Sequence, residues 1–394
     1  MILSDCLRVI KNIHDREWDF LLYKRRKLLY FLIILPIFVF TLLLAVFNKP
    51  VVREIPIAVI DQDNSEISKQ LISKINASPL VNIIKQFPSP DQAKKFIANS
   101  TVYGAVIIPS DFSKKILGYK GAEVIYLYNN ELFLQGGTSY KGVFNAVHEF
   151  SNEYNIKFLM SKGIPAYNAK FQLNPVIMGE HILFNPYLNY QYFFLLGMYP
   201  AIVQLLIICV VVYAFYYEEK SKSLLEIAPV IKTMPFSVII GKLIPYVVLF
   251  LIVSAIMLFT LFVIIKAPIR AGVLTIVIST ILFVIASCVT GAFIAVLFRH
   301  IAFSAAAIYA APAFAYAGIT FPQLAMPYPA FLLSEFLPLS HYHRVLINEA
   351  IRGGLKGSTS YLENIYMLIF STIALFVTTF IFIHLSKKLS MGAK

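Results

Sequence analysis

Charge is scarce in this 394-residue chain. Asp, Glu, Lys and Arg make up 14% of it, where a soluble domain carries about 25%. With 58% of residues hydrophobic, too little polar surface remains to cover a water-soluble fold of this size. That excludes an ordinary soluble enzyme and points to an integral membrane protein. Cysteine is scarce too. The three thiols, Cys6, Cys209 and Cys288, lack metal-ligand spacing. None lies between residues 48 and 191, so that region does not rely on disulfides. A phosphate-binding loop of the G-x-x-x-x-G-K-[ST] type is missing. The Gly241-Lys242 pair is followed by Leu243 inside an apolar run, so no nucleotide hydrolysis is expected of the chain. A cleavable leader is not expected either. Arg8, Lys11, Asp15, Arg16, Glu17 and Asp19 stand where a leader would need its apolar core.

Six apolar runs are present, at 28–47, 192–217, 236–265, 272–298, 301–320 and 362–385. Each reaches the roughly 20 residues that cross a hydrocarbon core. The expected fold class is therefore an α-helical polytopic membrane protein with six spans and an inserted extracytoplasmic α/β domain. Orientation follows from Lys and Arg between the spans. With the N-terminus inside, the inner segments 1–27, 218–235, 299–300 and 386–394 hold 14 basic residues, against 5 in the short outer segments. This positive-inside bias puts both termini in the cytoplasm. It also accounts for most of the net charge of +13. The run Lys24-Arg25-Arg26-Lys27 reads as an anchor at anionic lipid headgroups rather than a nucleic-acid contact.

Residues 48–191 alternate strand and helix signals. Strands are expected at 55–60, 81–87, 102–108 and 124–128. A helix should follow the cap Asp63-Asn64-Ser65, another Ser89-Pro90, with further helices near 110–117 and 137–160. The alternation argues a small α/β domain. Residues 192–320 carry spans two to five. The stretch 321–361 is broken by Pro322, Pro327, Pro329 and Pro338. It is expected to form short helices re-entering the outer leaflet, backbone that survives there only when covered or wetted. Its Glu335, His341, His343, Arg344, Glu349 and Arg352 either pair with one another or, through His-x-His, hold a metal. Residues 362–394 supply the sixth span and a tail.

Mid-span acids are missing, which disfavours an ion-coupled transporter. Lys242 sits near the inner end of the third span and is expected to snorkel out. The small residues of the fifth span, from Ala302 to Gly318, serve either bundle packing or a subunit contact. Residues 2–20 repeat Leu3, Cys6, Leu7, Ile10 and Ile13 at helical spacing. They are expected to form an interfacial helix on the inner leaflet. Between spans two and three, residues 218–232 read either as a solvated hairpin or as a short helix offered to a partner.

Glu218-Glu219-Lys220, Ser223-Leu224-Leu225-Glu226, Pro229 and Gly241-Lys242-Leu243-Ile244-Pro245-Tyr246, in this order of parts, resemble the permeases of ABC type-2 transporters. The likeness extends over essentially the whole chain. A Lys222-Ser223 pair stands where the family has Gly-Thr. The resemblance implies a half-transporter of a bacterial inner membrane, with export as its activity. Two permease chains would pair around a path, and separate ABC ATPase subunits would bind ATP and Mg, leaving this chain without a cofactor of its own. Glu218, Glu219, Lys220, Ser223, Leu224, Glu226 and Pro229 would couple to the ATPase, with Gly241, Lys242, Pro245 and Tyr246 as the family motif. The external domain would guard the exit or meet a periplasmic adaptor. Two other readings stand beside this one. A membrane-anchored sensor or scaffold needs fewer spans than six. An ion-coupled transporter needs the missing acids.

Overall fold

The computed structural model describes residues 2–49, 51–173, 181, 183–186, 189–221, 223–354 and 359–392. In chain order its helices are α1 (Ile2–Asp19), α2 (Arg26–Val46), α3 (Glu66–Asn76), α4 (Pro90–Ala98), α5 (Phe112–Leu117), α6 (Phe133–Ser161), α7 (Ala166–Leu173), α8 (Tyr190–Lys220), α9 (Leu224–Thr233), α10 (Pro235–Phe259), α11 (Val273–Phe298), α12 (Ala302–Tyr316), α13 (Tyr328–Glu335), α14 (Pro338–Leu346) and α15 (Ser360–Gly392). The strands are β1 (Ile55–Asp61), β2 (Val81–Gln86), β3 (Gly104–Ile108) and β4 (Ile125–Tyr128). They divide into two compact units, one of Met1–Pro50 with Leu183–Lys394, the other Val51–Ile182.

The smaller unit is a four-stranded mixed sheet in the order β2-β1-β3-β4. β1 pairs in parallel with β2 and β3, and β4 closes the sheet antiparallel to β3. β1 reads Ile-Pro-Ile-Ala-Val-Ile and is buried along nearly its whole length, as expected of a strand covered on both faces. Ile57, Val59, Val106 and Ile108 pack under α3 and α6 through Leu71, Ile75, Val143 and Phe150. Ala58, Ile60, Ala105 and Ile107 pack on the other side against Ala93 of α4. Ser65 caps α3 and Pro90 opens α4, where sequence places both starts.

The larger unit is a helical bundle. Among the described residues, five helical stretches are long and apolar enough to cross a membrane: Arg26–Val46, Tyr190–Lys220, Pro235–Ile264, Val273–Tyr316 and Ser360–Ser386. The fourth contains two of the six expected runs. α11 and α12 are joined through a short 3₁₀ turn, Arg299–Ile301, rather than separated by a loop. Arg299 takes φ 45° and ψ −108° there, and α12 reverses direction. Phe303 meets Tyr216 near the end of α8, while Phe314 meets Phe194 near its start, so α12 runs antiparallel to α8. α11 runs parallel to α8, because Gly291 abuts Ile208 and Val211 and Ala295–Arg299 border the same pocket as Val212–Glu219. α15 runs parallel as well, with Asn364 against Ser279 and Phe382 against Phe215. α2 and α10 run opposite, through Phe47 against Phe194 and Lys242 against Glu218. α12 is only 15 residues long, and the small residues Ala302, Ala306 and Ala313 form its buried side.

The broken stretch folds as α13, α14 and a π turn, Ile347–Arg352, ended by Gly353 at φ 82°. Three of its ionisable residues, Glu335, His341 and Arg344, pair with one another or with Glu363, while Arg352 donates to Asn348 Oδ1 at 3.3 Å. Arg344 lies 2.8 Å from Glu335 and 3.5 Å from Glu363. His341 Nδ1 lies 2.6 Å from Glu363 Oε2, and its Nε2 lies 2.8 Å from the carbonyl of Glu335. Glu349 accepts the backbone N–H of Gly272 at 3.0 Å. His343 turns instead to the backbone of Ala317, so the two rings of His-x-His serve different partners. Among the described residues no group of three His, Cys, Asp or Glu side chains could hold a metal ion.

A buried ion cluster as the candidate functional site

α1 lies against α10, and its buried side chains, Ile13 and Glu17, follow helical spacing. One of the two is a carboxylate, which cannot be buried without a cation or strong donors. α10 supplies both. Gly241 stands at the crossing, where a Cβ would meet the Ile10 carbonyl at 2.7 Å and Ile13 Cβ at 3.0 Å. The absence of a side chain therefore lets the two helices touch.

The next residue, Lys242, is 2% exposed. Its Nζ donates to Glu17 Oε1 at 2.7 Å and lies 2.9 Å from Glu218 Oε2. One turn later the Tyr246 hydroxyl donates to Glu17 Oε2 at 3.0 Å. Arg16 of α1 donates to Glu218 Oε1. The Lys242 ammonium also lies 5.1 Å from the centre of the Phe215 ring, within cation–π range. Two cations and two carboxylates thus form a neutral cluster joining the end of α1, the end of α8 and the start of α10. Pro245 is buried beside them. Having no N–H, it leaves the Gly241 carbonyl without its usual helical donor.

This corrects the expectation that Lys242 snorkels to the membrane surface. Its head group is held inward because the carboxylates of Glu17 and Glu218 replace there the hydration it would have outside. It also places Glu218, expected on a cytoplasmic contact, in the interior at 5% exposure. Its neighbour Glu219 accepts from Arg299 Nε at 3.0 Å and so ties the end of α8 to the turn between α11 and α12. Consecutive carboxylates at the end of one helix therefore fasten three other elements: α1, α10 and the turn after α11.

Of the remaining expected contact residues, Lys220, Glu226 and Pro229 face outward. Lys220 is exposed, with its Nζ 5.9 Å from the Tyr216 ring centre. The Ser223 hydroxyl lies 3.0 Å from that of Ser221. Glu226 and Pro229 are exposed on α9, while Ile227, Ala228 and Ile231 form its buried side. The side chain of Leu224, like all of Lys222, lies outside the described residues. Sequence reasoning gathered Glu218, Gly241, Lys242, Pro245 and Tyr246 but passed over Arg16 and Glu17. The signal for Glu17 was present: it falls seven residues after Ile10 and four after Ile13, on the apolar stripe of α1.

No curated protein matches the chain. Residues 26–384 match the family described as ABC-2 family transporter protein. The match takes in the motif helix α10, the carboxylates closing α8 and the whole Val51–Ile182 unit. Its reach, with five helices able to cross a bilayer, makes the chain a multi-pass membrane protein that belongs to the ABC-2 transporter family.

Proposed function

We propose that the chain is the permease subunit of an ATP-driven exporter in a bacterial inner membrane. The observation that carries the reading is the family match over residues 26–384. In this reading α2, α8, α10, α11, α12 and α15 are six crossings, and their alternating directions support it. Both termini lie in the cytoplasm, in keeping with the basic residues flanking the first and last spans, and the Val51–Ile182 unit lies outside. Two copies form the path, two ABC ATPase subunits dock on the inner face, and ATP and Mg belong to those subunits. A periplasmic adaptor is a further partner for the outer unit.

The exposed face of α9 around Glu226 and Pro229, continued by Lys220, is the contact offered to the ATPase. The ion cluster serves a different purpose. It binds α1, α8 and α10 at the same end, so a push on α9 moves them as one body rather than bending a single hairpin. The test is to purify the chain with the ATPase encoded beside it and measure hydrolysis in nanodiscs. Stable co-purification and a permease-dependent rise in hydrolysis are expected. Failure of both would overturn the reading.

A further inference from the structure

Among the described residues, no further strand pairs with the outer strands β2 and β4 of the sheet in the Val51–Ile182 unit, and their outer edges differ. β2 carries the protections that natural edge strands use against pairing. An extra residue interrupts its register with β1 between Ile57 and Ala58, and Lys85 stands in the strand. β4 has neither. It reads Ile-Tyr-Leu-Tyr, its register with β3 is unbroken from Ile125 to Tyr128, and it holds no charge.

The direction of its hydrogen bonds follows from one contact. Asn129 N–H donates to the Tyr103 carbonyl at 2.9 Å, so 129 and 103 are a hydrogen-bonded pair. In an antiparallel ladder such pairs alternate. Leu127 with Ala105 and Ile125 with Ile107 are then bonded, while Tyr126 and Tyr128 direct their N–H and C=O away from β3, to the open edge. Their side chains share one face, the rings stacked at 5.6 Å and 11°, and Tyr128 is 40% exposed.

Two outward-facing residues, two positions apart, form a self-complementary edge. A second β4 running antiparallel places Tyr126 of one copy opposite Tyr128 of the other, each exchanging both backbone bonds. Leu127 then sits across from itself on the two-fold axis. We infer that β4 is a homodimer contact, pairing the sheets of two copies of this chain edge to edge. The inference rests on the reading of the transporter as a pair of identical permease chains, and it names where their sheet units meet.

Leu127 would face its own copy in a non-hydrogen-bonded pair, with Cα atoms about 4.5 Å apart, within the range of about 4.4–6.8 Å that a disulfide spans. In a background freed of native thiols (Cys6→Ser, Cys209→Ser, Cys288→Ala), Leu127→Cys is expected to form a covalent dimer under mild oxidation. Asn82→Cys, on the other edge strand, is expected to remain monomeric on the same non-reducing gel. Adding Tyr128→Pro removes an outward N–H without touching the β3 ladder, as edge strands tolerate. It should lower the cross-linked fraction at least tenfold, whereas Tyr128→Ala, which keeps the N–H, should not. Hydrogen exchange of β3 checks that each variant is folded. Several results would overturn the contact: no bond in a protein whose mass is that of two copies, equal cross-linking at Asn82, or a bond that survives Tyr128→Pro. The first of these leaves the dimer reading standing, while a monomeric mass with no bond overturns both.

Discussion

At the scale of single residues, the motif Gly-Lys-x-x-Pro-Tyr acquires separate physical duties. Gly241 gives α1 room, Lys242 answers two carboxylates, and Tyr246 holds the second oxygen of Glu17. Gly241→Ala brings a Cβ to 2.7 Å from a backbone carbonyl, and α1 must move. Trp18, the only tryptophan, sits on α1 with its Nε1 donating to His14 at 3.0 Å, so it reports the movement. A red-shifted emission and faster proteolysis within α1 are expected; an unchanged spectrum would show that the crossing is not tight. Lys242→Met leaves Glu17 and Glu218 buried without their shared cation. Breaking a buried pair in this way costs about 3–5 kcal/mol, to be read as a loss of thermal stability in detergent. A variant as stable as the parent would mean that water already reaches the cluster. None of this pairing was legible along the chain, because Glu17 and Lys242 are 225 positions apart. What could be read was one misfit on each helix: an acid on an apolar stripe and a lysine in a span.

At the scale of elements, the sequence reading fared best where short-range chemistry decides. All four strands of the sheet fall where they are expected, because β-branched runs bounded by turn residues report their own ends. The joint between α11 and α12 was harder. It is built from Arg299, His300 and Ile301 alone, and its reversal depends on a left-handed residue held by Glu219 of a distant helix. The linker after α8 shows the opposite case. Its charges read alike, as a solvated hairpin or as a helix offered to a partner, yet helix geometry splits them, turning Glu218 inward and leaving Glu226 out on α9. The two acids should therefore fail differently. Glu226→Lys is expected to lower ATPase stimulation while the melting temperature stays within a degree or two. Glu218→Lys, set against Lys242 and Arg16, should lower the melting temperature itself. Equal effects on both readouts would refute the division.

The sheet unit offers an element-scale prediction of its own. The Asp63 carboxylate reaches from the β1–α3 loop to the N-terminal turn of α5, accepting the Ser113 backbone N–H at 3.2 Å and its hydroxyl at 3.0 Å. Burial alone would raise its pKa, but hydrogen bonds from Ser65 and Ser113 and the nearby Lys114 outweigh it and hold the carboxyl below its ordinary value of 3.8. A depressed pKa in the folded state contributes stability that is fully present above 3.8 and is lost as pH falls through the lower, folded value. Amide protection of α5 is thus expected to be flat above pH 4 and to drop only in stronger acid. Asp63→Asn should remove that pH dependence. A midpoint near neutral pH in the parent would exclude Asp63 as its source.

At the scale of the molecule, composition announced a membrane protein at once, because 14% charge cannot clothe a soluble body. It could not show that part of this small allotment is spent inside. Four of the charges close on one another around Lys242, and more do so around Glu363. The charge count that orients the chain in a bilayer therefore mixes two populations, residues facing water and residues fastening helices. Arg16 belongs to both counts.

The shortness of α12 carries one more consequence. At about 1.5 Å per residue its 15 residues rise roughly 22 Å, less than the roughly 30 Å of a hydrocarbon core. Its neighbours α8 and α11, of 31 and 26 residues, are long enough to span without help. In the six-crossing reading proposed above, α12 is flanked by taller crossings and leaves a notch on its side of the bundle. On that reading lipid beside it would shorten or tilt, making the bilayer thinnest there. A shallow place in the membrane is also where a bulky or amphiphilic cargo meets the lowest barrier.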